Sequence, residues 1–126
     1  MKILVTGSKG QLGNEIRILA EDYPDLDFMF TDIDELDITD IGKVEDFFSA
    51  NQPDAVVNCA AYTAVDKAEA DESTAFLLNA TAVEYLAKSA TKIGALLVHV
   101  STDYVFDGTQ ENGYSENGIY NPINSY

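Results

Sequence analysis

Four short runs of β-branched and aliphatic residues punctuate the chain, and a longer segment with helical spacing separates each from the next. "KILVTG" at Lys2 to Gly7 is continuous, apolar and closed by glycine, the pattern of a strand buried on both faces. Leu12, Ile16, Leu19 and Ala20 then recur at helical spacing, and "LDFMFTD" at Leu26 to Asp32 reads as a second strand. Thr39 or Asp40 can cap a helix carrying Ile41, Val44, Phe47 and Phe48 on one face. "PDAVVNCA" at Pro53 to Ala60 is the third expected strand. Ala75, Leu78, Ala82, Leu86 and Ala90 mark a long helix that Gly94 closes, and "ALLVHVST" at Ala95 to Thr102 is the fourth strand. Strict alternation leaves few solutions, because parallel strands need crossovers and a crossover helix must bury its apolar stripe on the sheet. The expected fold is therefore α/β, a doubly wound parallel sheet in three layers, α/β/α, with local strand order 3-2-1-4. A chain of 126 residues has room for one such domain.

Ligands of doubly wound sheets sit at the carboxyl ends of the strands, where the order reverses, so the residues just after each strand matter most. The first strand runs into "TGSKGQLG", which places Gly7, Gly10 and Gly13 at Gly-x-x-Gly-x-x-Gly spacing. Gly7 lets the chain turn out of the strand, Gly10 offers no side chain to hold a pyrophosphate away from backbone amides, and Gly13 lets the helix close on the sheet. The helix N-terminus adds positive potential. A kinase-type phosphate loop is disfavoured, because Lys9 lacks the required spacing and the following Ser or Thr. Asp32 lies where a carboxylate grips ribose hydroxyls; it repels a 2′-phosphate and has no neighbouring arginine, which favours NADH over NADPH. Asp37 and Ile38 are placed to bracket an adenine, with helix capping by that segment an equal alternative. Past the third strand, Ala60 and Ala61 are small where a cofactor would cross, and Tyr62 and Thr63 can line its nicotinamide side. Cys59 reads as a core thiol. His99, the single histidine, lies inside the fourth strand and reads as a packed, hydrogen-bonded side chain rather than a base. Ser101, Thr102 and Asp103 emerge after that strand, and the Gly-, Asn- and Pro-rich stretch to Tyr126 shows no periodicity, as binding segments often do not.

The formal net charge is -15, which argues against nucleic acid and anionic membrane as partners and leaves any anionic ligand dependent on backbone amides. No apolar run reaches the roughly 18 to 20 residues that span a bilayer, and "MKILVTG" is too short and strand-like for a signal peptide. With one cysteine and no internal disulfide, a reduced, cytoplasmic protein is expected, and "NAT" at Asn79 to Thr81 reads as an accidental glycosylation match. No metal site is expected.

"GSKGQLG", "NCAAYTAVDKAE", "LLNATAVEYLAKSA", "VHVSTDYVFDG" and "NPINSY" together resemble the extended short-chain dehydrogenase/reductases, and within them the dTDP-4-dehydrorhamnose reductase family. The resemblance implies a Rossmann-like domain at residues 1–126 corresponding to that family's cofactor-binding half. It adds Gln11 and Leu12 to the cofactor-binding set. It also implies a Thr, Tyr and Lys trio in which Thr102 and Tyr126 are catalytic, Tyr126 also faces the cofactor, and the lysine falls four residues beyond Tyr126, outside this chain. A lysine ammonium would ease proton release from a phenol whose ordinary pKa is about 10. Thr102 would hold the substrate oxygen, with Asp103 and Tyr104 bordering the sugar. The implied reaction is reduction of the 4-keto group of dTDP-6-deoxy-L-lyxo-4-hexulose to dTDP-L-rhamnose by NADH or NADPH, with a dTDP-sugar as the partner molecule and a homodimer of the longer protein left open. Two alternatives stand beside it: another nucleotide-sugar epimerase or dehydratase of the group, against which "STDYVFDG" speaks, and a non-catalytic dinucleotide-binding subunit resembling the regulatory subunit of methionine adenosyltransferase.

Overall fold

The computed structural model describes residues 1–126. Its strands are β1 (Lys2–Thr6), β2 (Asp27–Phe30), β3 (Ala55–Asn58) and β4 (Leu96–His99), all paired in parallel. Helix α1 (Gln11–Leu19) joins β1 to β2, and α2 (Ile41–Asn51) joins β2 to β3. The path from β3 to β4 runs through α3 (Val65–Ala68), α4 (Glu72–Phe76) and α5 (Ala82–Ile93).

The strand order is β2-β1-β3-β4, not the expected 3-2-1-4. The reason lies in which strand bears two buried faces. Ala55, Val56 and Asn58 of β3 are buried, whereas no residue of β2 is and Asp27 is exposed. A strand apolar on both sides belongs inside the sheet, so β3 returns across β1 and β2 is left at the edge. The order therefore reverses between β1 and β3, and a ligand crevice is expected at that point.

The first of the three crossovers leaves in the opposite direction to the other two, so α1 covers one face of the sheet and α2 and α5 the other. Leu4 of β1 and Val56 of β3 meet Val44 and Phe48 of α2 together with Leu86 and Ala90 of α5. Ile3, Val5 and Ala55 point the other way, toward Ile16 of α1. Burying Phe48 alone stabilises the fold by about 1.5–3 kcal/mol.

Helix ends follow local chemistry. Asp40, rather than Thr39, caps α2: its carboxylate accepts from the amides of Gly42 at 2.9 Å and Lys43 at 3.2 Å. The single long helix expected over 75–90 is divided, with a π-helical segment (Leu77–Thr81) between α4 and α5, and Gly94 closes α5 at φ 74°. Beyond His99 there is neither helix nor strand, in keeping with the missing periodicity. That segment is tied together by Asp107, which accepts from the Tyr114 hydroxyl, the Thr109 amide and hydroxyl at 3.1 and 2.8 Å, and the Asn121 side-chain amide at 3.1 Å. Phe106 stacks on Tyr114 with ring centroids 4.2 Å apart.

Candidate functional site

A cleft of about 370 Å³ opens where β1 and β3 diverge, lined in part by Gly7, Gly10, Asp32, Asp37, Ile38, Ala60 and Ala61. Seven of the residues singled out from sequence thus converge on one concave surface. The three glycines act for separate reasons. Gly7 has φ +63°, and a Cβ there would lie 2.5 Å from the Ala60 nitrogen, so β1 and β3 approach this closely only around glycine. A Cβ on Gly13 would lie 2.5 Å from the Gly7 carbonyl oxygen, which explains the tight seat of α1. Gly10 is different: its Cβ would meet only the Gly7 oxygen, at 3.2 Å, and would otherwise project into open space beside the cleft. Gly10 is also the N-cap of α1, and no side chain caps that end. First-turn amides are thereby left for an external acceptor, the donor set a diphosphate requires. The cleft fits a dinucleotide.

Asp32 lies two residues past β2, with Oδ2 accepting from the Lys9 amide and Oδ1 from the Ile33 amide, each at 2.9 Å. Burial pushes its carboxyl up, but those two amides and the Lys9 charge outweigh that and hold it below the ordinary value. An ionised carboxylate accepts about four hydrogen bonds, so capacity for ribose hydroxyls remains. No arginine stands beside it; Arg17 instead lies 4.3 Å over the Phe30 ring and donates to Ser8 at 3.0 Å. The cation at this corner is Lys9, whose ammonium bonds Asp34 at 2.7 Å. Sequence reasoning used Lys9 only to exclude a kinase loop and missed its place in the cleft, although it sits within the glycine motif. Asp37 does not cap α2; its carboxylate accepts from the Thr39 hydroxyl at 2.6 Å and amide at 3.0 Å, bonds that hold its carboxyl below the ordinary value. Ile38 is buried yet borders the cleft. Cys59 is half-buried: it packs against the Ile3, Val5 and Ala55 cluster, as expected of a core thiol, and also lines the cleft. Burial pushes its thiol up, which makes it a poor nucleophile.

Gln11, Leu12, Gly13, Tyr62 and Thr63 are not among the cleft-lining residues. Gln11 and Leu12 are exposed on the first turn of α1, and Thr63 is exposed after β3. Tyr62 is held through its backbone, since Asn79 accepts from its amide at 2.8 Å and donates to its carbonyl at 3.0 Å. Asn79 lies in the π-helical segment, where the widened turn sets the side chain against the loop after β3. The polar residue amid "LLNATA" was the available signal, and setting it aside as an accidental glycosylation match missed it.

A second cavity of about 110 Å³ adjoins the first, sharing Ala61 and otherwise lined by Asn79, His99, Val100, Ser101, Thr102 and Tyr126. Thr102 and Tyr126 are thus brought together. The Thr102 hydroxyl accepts from the Tyr104 amide at 3.1 Å, while Tyr104 packs edge-on against Tyr126 with centroids 5.8 Å apart. Ser125 donates its amide and its hydroxyl to the two oxygens of Glu69, at 2.8 and 3.2 Å, tethering the residue before Tyr126. Asp103 and Tyr104 are exposed and lie outside this lining. His99 is hydrogen-bonded as expected, to Asn58 at 3.1 Å, but it is an exposed wall of the cavity and not a packed core residue.

The family described as RmlD substrate binding domain matches residues 1–126. A dTDP-4-dehydrorhamnose reductase of Aggregatibacter actinomycetemcomitans is 39% identical over 125 residues, 99% of this chain and 42% of that protein. The crystal structure of a dTDP-4-dehydrorhamnose reductase from Clostridium acetobutylicum superposes with TM-score 0.95 at 43% identity, over 100% of this chain and 45% of that one. That of the Bacillus anthracis enzyme in complex with NADP superposes with TM-score 0.93 at 37% identity, over 99% and 44%. The chain thus spans less than half the length of the proteins it matches. Its fold, its glycine-framed crevice and its match along the whole chain lead to one conclusion: it belongs to the RmlD substrate binding domain family.

Proposed function

We propose that residues 1–126 are the dinucleotide-binding domain of an NAD(P)H-dependent reductase that converts the 4-keto group of dTDP-6-deoxy-L-lyxo-4-hexulose to the alcohol of dTDP-L-rhamnose. The observation that carries the reading is the adjacency of two cavities sharing Ala61, one framed by Gly7, Gly10 and Asp32, the other by Thr102 and Tyr126. A cofactor held in the first presents its reactive end to a substrate held in the second. Bound nicotinamide supplies the hydride. The chain's own groups do the rest. Amides at the start of α1 receive the diphosphate, with Gln11, Leu12 and Gly13 furnishing that turn. Asp32 takes the ribose hydroxyls, Asp37 and Ile38 flank the adenine, and Ala60 and Ala61 leave room for the cofactor to cross toward Tyr62 and Thr63. Thr102 orients the substrate oxygen, and the Tyr126 hydroxyl delivers the proton that oxygen needs. A lysine four residues after Tyr126 completes the site, and Asp103 and Tyr104 border the sugar. Full-length enzyme carrying Tyr126→Phe is expected to lose at least about a hundredfold in kcat while holding its cofactor normally, the scale of general acid catalysis. An undiminished rate removes Tyr126 from the mechanism.

Asp32 presents negative charge where a 2′-phosphate would sit, and Lys9 is engaged by Asp34, so NADH is preferred. Asp32→Ala should narrow the ratio of NADPH to NADH dissociation constants by about tenfold or more, the effect of roughly 1.4 kcal/mol. Equal constants in the unaltered enzyme would refute the preference.

A further inference from the structure

Thr6, Asn58 and His99 are register partners at the carboxyl ends of β1, β3 and β4, so their side chains form one polar row across the point of reversal. Asn58 is 1% exposed. Its Oδ1 accepts from the Ala60 amide at 3.1 Å and from the Thr6 hydroxyl at 2.6 Å. A backbone amide can only donate, which identifies that atom as the oxygen and leaves the NH₂ group on the other side. The NH₂ lies 3.1 Å from His99 Nδ1. Since the amide group must be the donor, Nδ1 is the acceptor, and the proton of the neutral ring resides on Nε2. A protonated ring would set its Nδ1–H against the Asn58 NH₂. The ring is also one wall of the cavity that contains Thr102 and Tyr126. With Nδ1 occupied, Nε2–H is the one polar atom the ring has left for that space.

We propose that His99 is a substrate-binding hydrogen-bond donor, its Nε2–H directed at an oxygen of the keto-sugar, and that Asn58 is the positioning residue that selects this tautomer. The assignment rests on the reading that the second cavity holds the substrate. It gives the histidine a part in binding without making it a base, since a neutral ring with Nδ1 engaged by a donor offers no free lone pair. The sugar ring, with its keto, hydroxyl and ether oxygens, is rich in acceptors for such a donor.

The test uses the full-length enzyme. His99→Gln places an amide N–H near the former Nε2, whereas the shorter His99→Asn reaches only as far as Nδ1. The expected result is a fall of about tenfold in kcat/KM for the dTDP-keto-sugar in His99→Asn, substantial recovery in His99→Gln, and an unchanged NADH dissociation constant in both. Nitrogen-15 spectra of the unaltered enzyme should show His99 as the Nε2–H tautomer at neutral pH. An Nδ1–H tautomer, or full kcat/KM in His99→Asn alongside an inactive Tyr126→Phe, overturns the proposal and leaves the reading of the site intact. Full activity in Tyr126→Phe and His99→Asn together overturns both.

Discussion

At the scale of single residues, identical chemistry is used for different ends. Gly7 and Gly94 both have positive φ, at 63° and 74°. Around Gly94 nothing lies within 4 Å of an added Cβ, whereas at Gly7 the backbone of Ala60 already occupies that volume. Gly94→Ala should therefore cost about 1–2 kcal/mol from backbone strain alone. Gly7→Ala adds overpacking against β3 and should cost about 2–5 kcal/mol, with urea unfolding of both variants as the check. Gly10→Ala is the complementary case: its conformation is ordinary and the methyl presses only on the Gly7 oxygen at 3.2 Å, so stability should fall far less than in Gly7→Ala, while NADH affinity should fall as the methyl enters the cleft. The glycine spacing was legible in "TGSKGQLG", but not which glycine answers to packing and which to the ligand. That depends on Ala60, more than forty positions away in the chain and adjacent only after β1 and β3 pair.

At the scale of elements, regular structure carries the fold, and irregular segments at its edge supply much of the site. The loop after β3 is clamped by Asn79 from the π-helical segment, and the stretch leading to Tyr126 is organised around Asp107. The Tyr114 hydroxyl first, then Thr109 and the Asn121 amide, hold the Asp107 carboxyl well below the ordinary carboxylate range. A carboxylate depressed in the folded state stabilises that state fully above its unfolded value of 3.8, and the contribution fades as pH falls toward the folded value. Order in the 105–121 segment should accordingly hold from neutral pH down to about pH 4 and decline below it. Hydrogen exchange at the Thr109 amide, corrected for intrinsic rate, reads this directly; protection unchanged down to pH 2 would contradict it. Amphipathic helices were legible from the spacing of Val44 and Phe48 and of Leu86 and Ala90. The knot around Asp107 was not, because hydrogen bonds between irregular segments leave no period in the sequence.

At the scale of the molecule, the sheet is open on the β4 side. Leu96, Val98 and Val100 alternate onto one face and are 64%, 44% and 59% exposed. An apolar edge strand with unpaired backbone groups invites association. Residues 1–126 prepared alone should therefore self-associate at high concentration in size-exclusion chromatography; a strictly monomeric profile there would count against this. The same preparation should show no turnover with NADH and the keto-sugar, since the proposed mechanism draws on a lysine beyond Tyr126. Measurable reduction by this length of chain would contradict that dependence.

The sequence by itself determined the class of fold, because alternating strand and helix periods permit little besides a helix-covered parallel sheet. It also located part of the crevice lining, Gly7, Gly10, Asp32, Ala60 and Ala61 among it, since such a sheet binds ligands at the carboxyl ends of its strands. Tertiary structure alone decided the strand order, the sharing of Ala61 between two cavities, and the row Thr6–Asn58–His99 that sets the histidine's proton. Periodicity is a property of neighbours along the chain, whereas order, cavity walls and tautomers are set by partners 40 or more positions away.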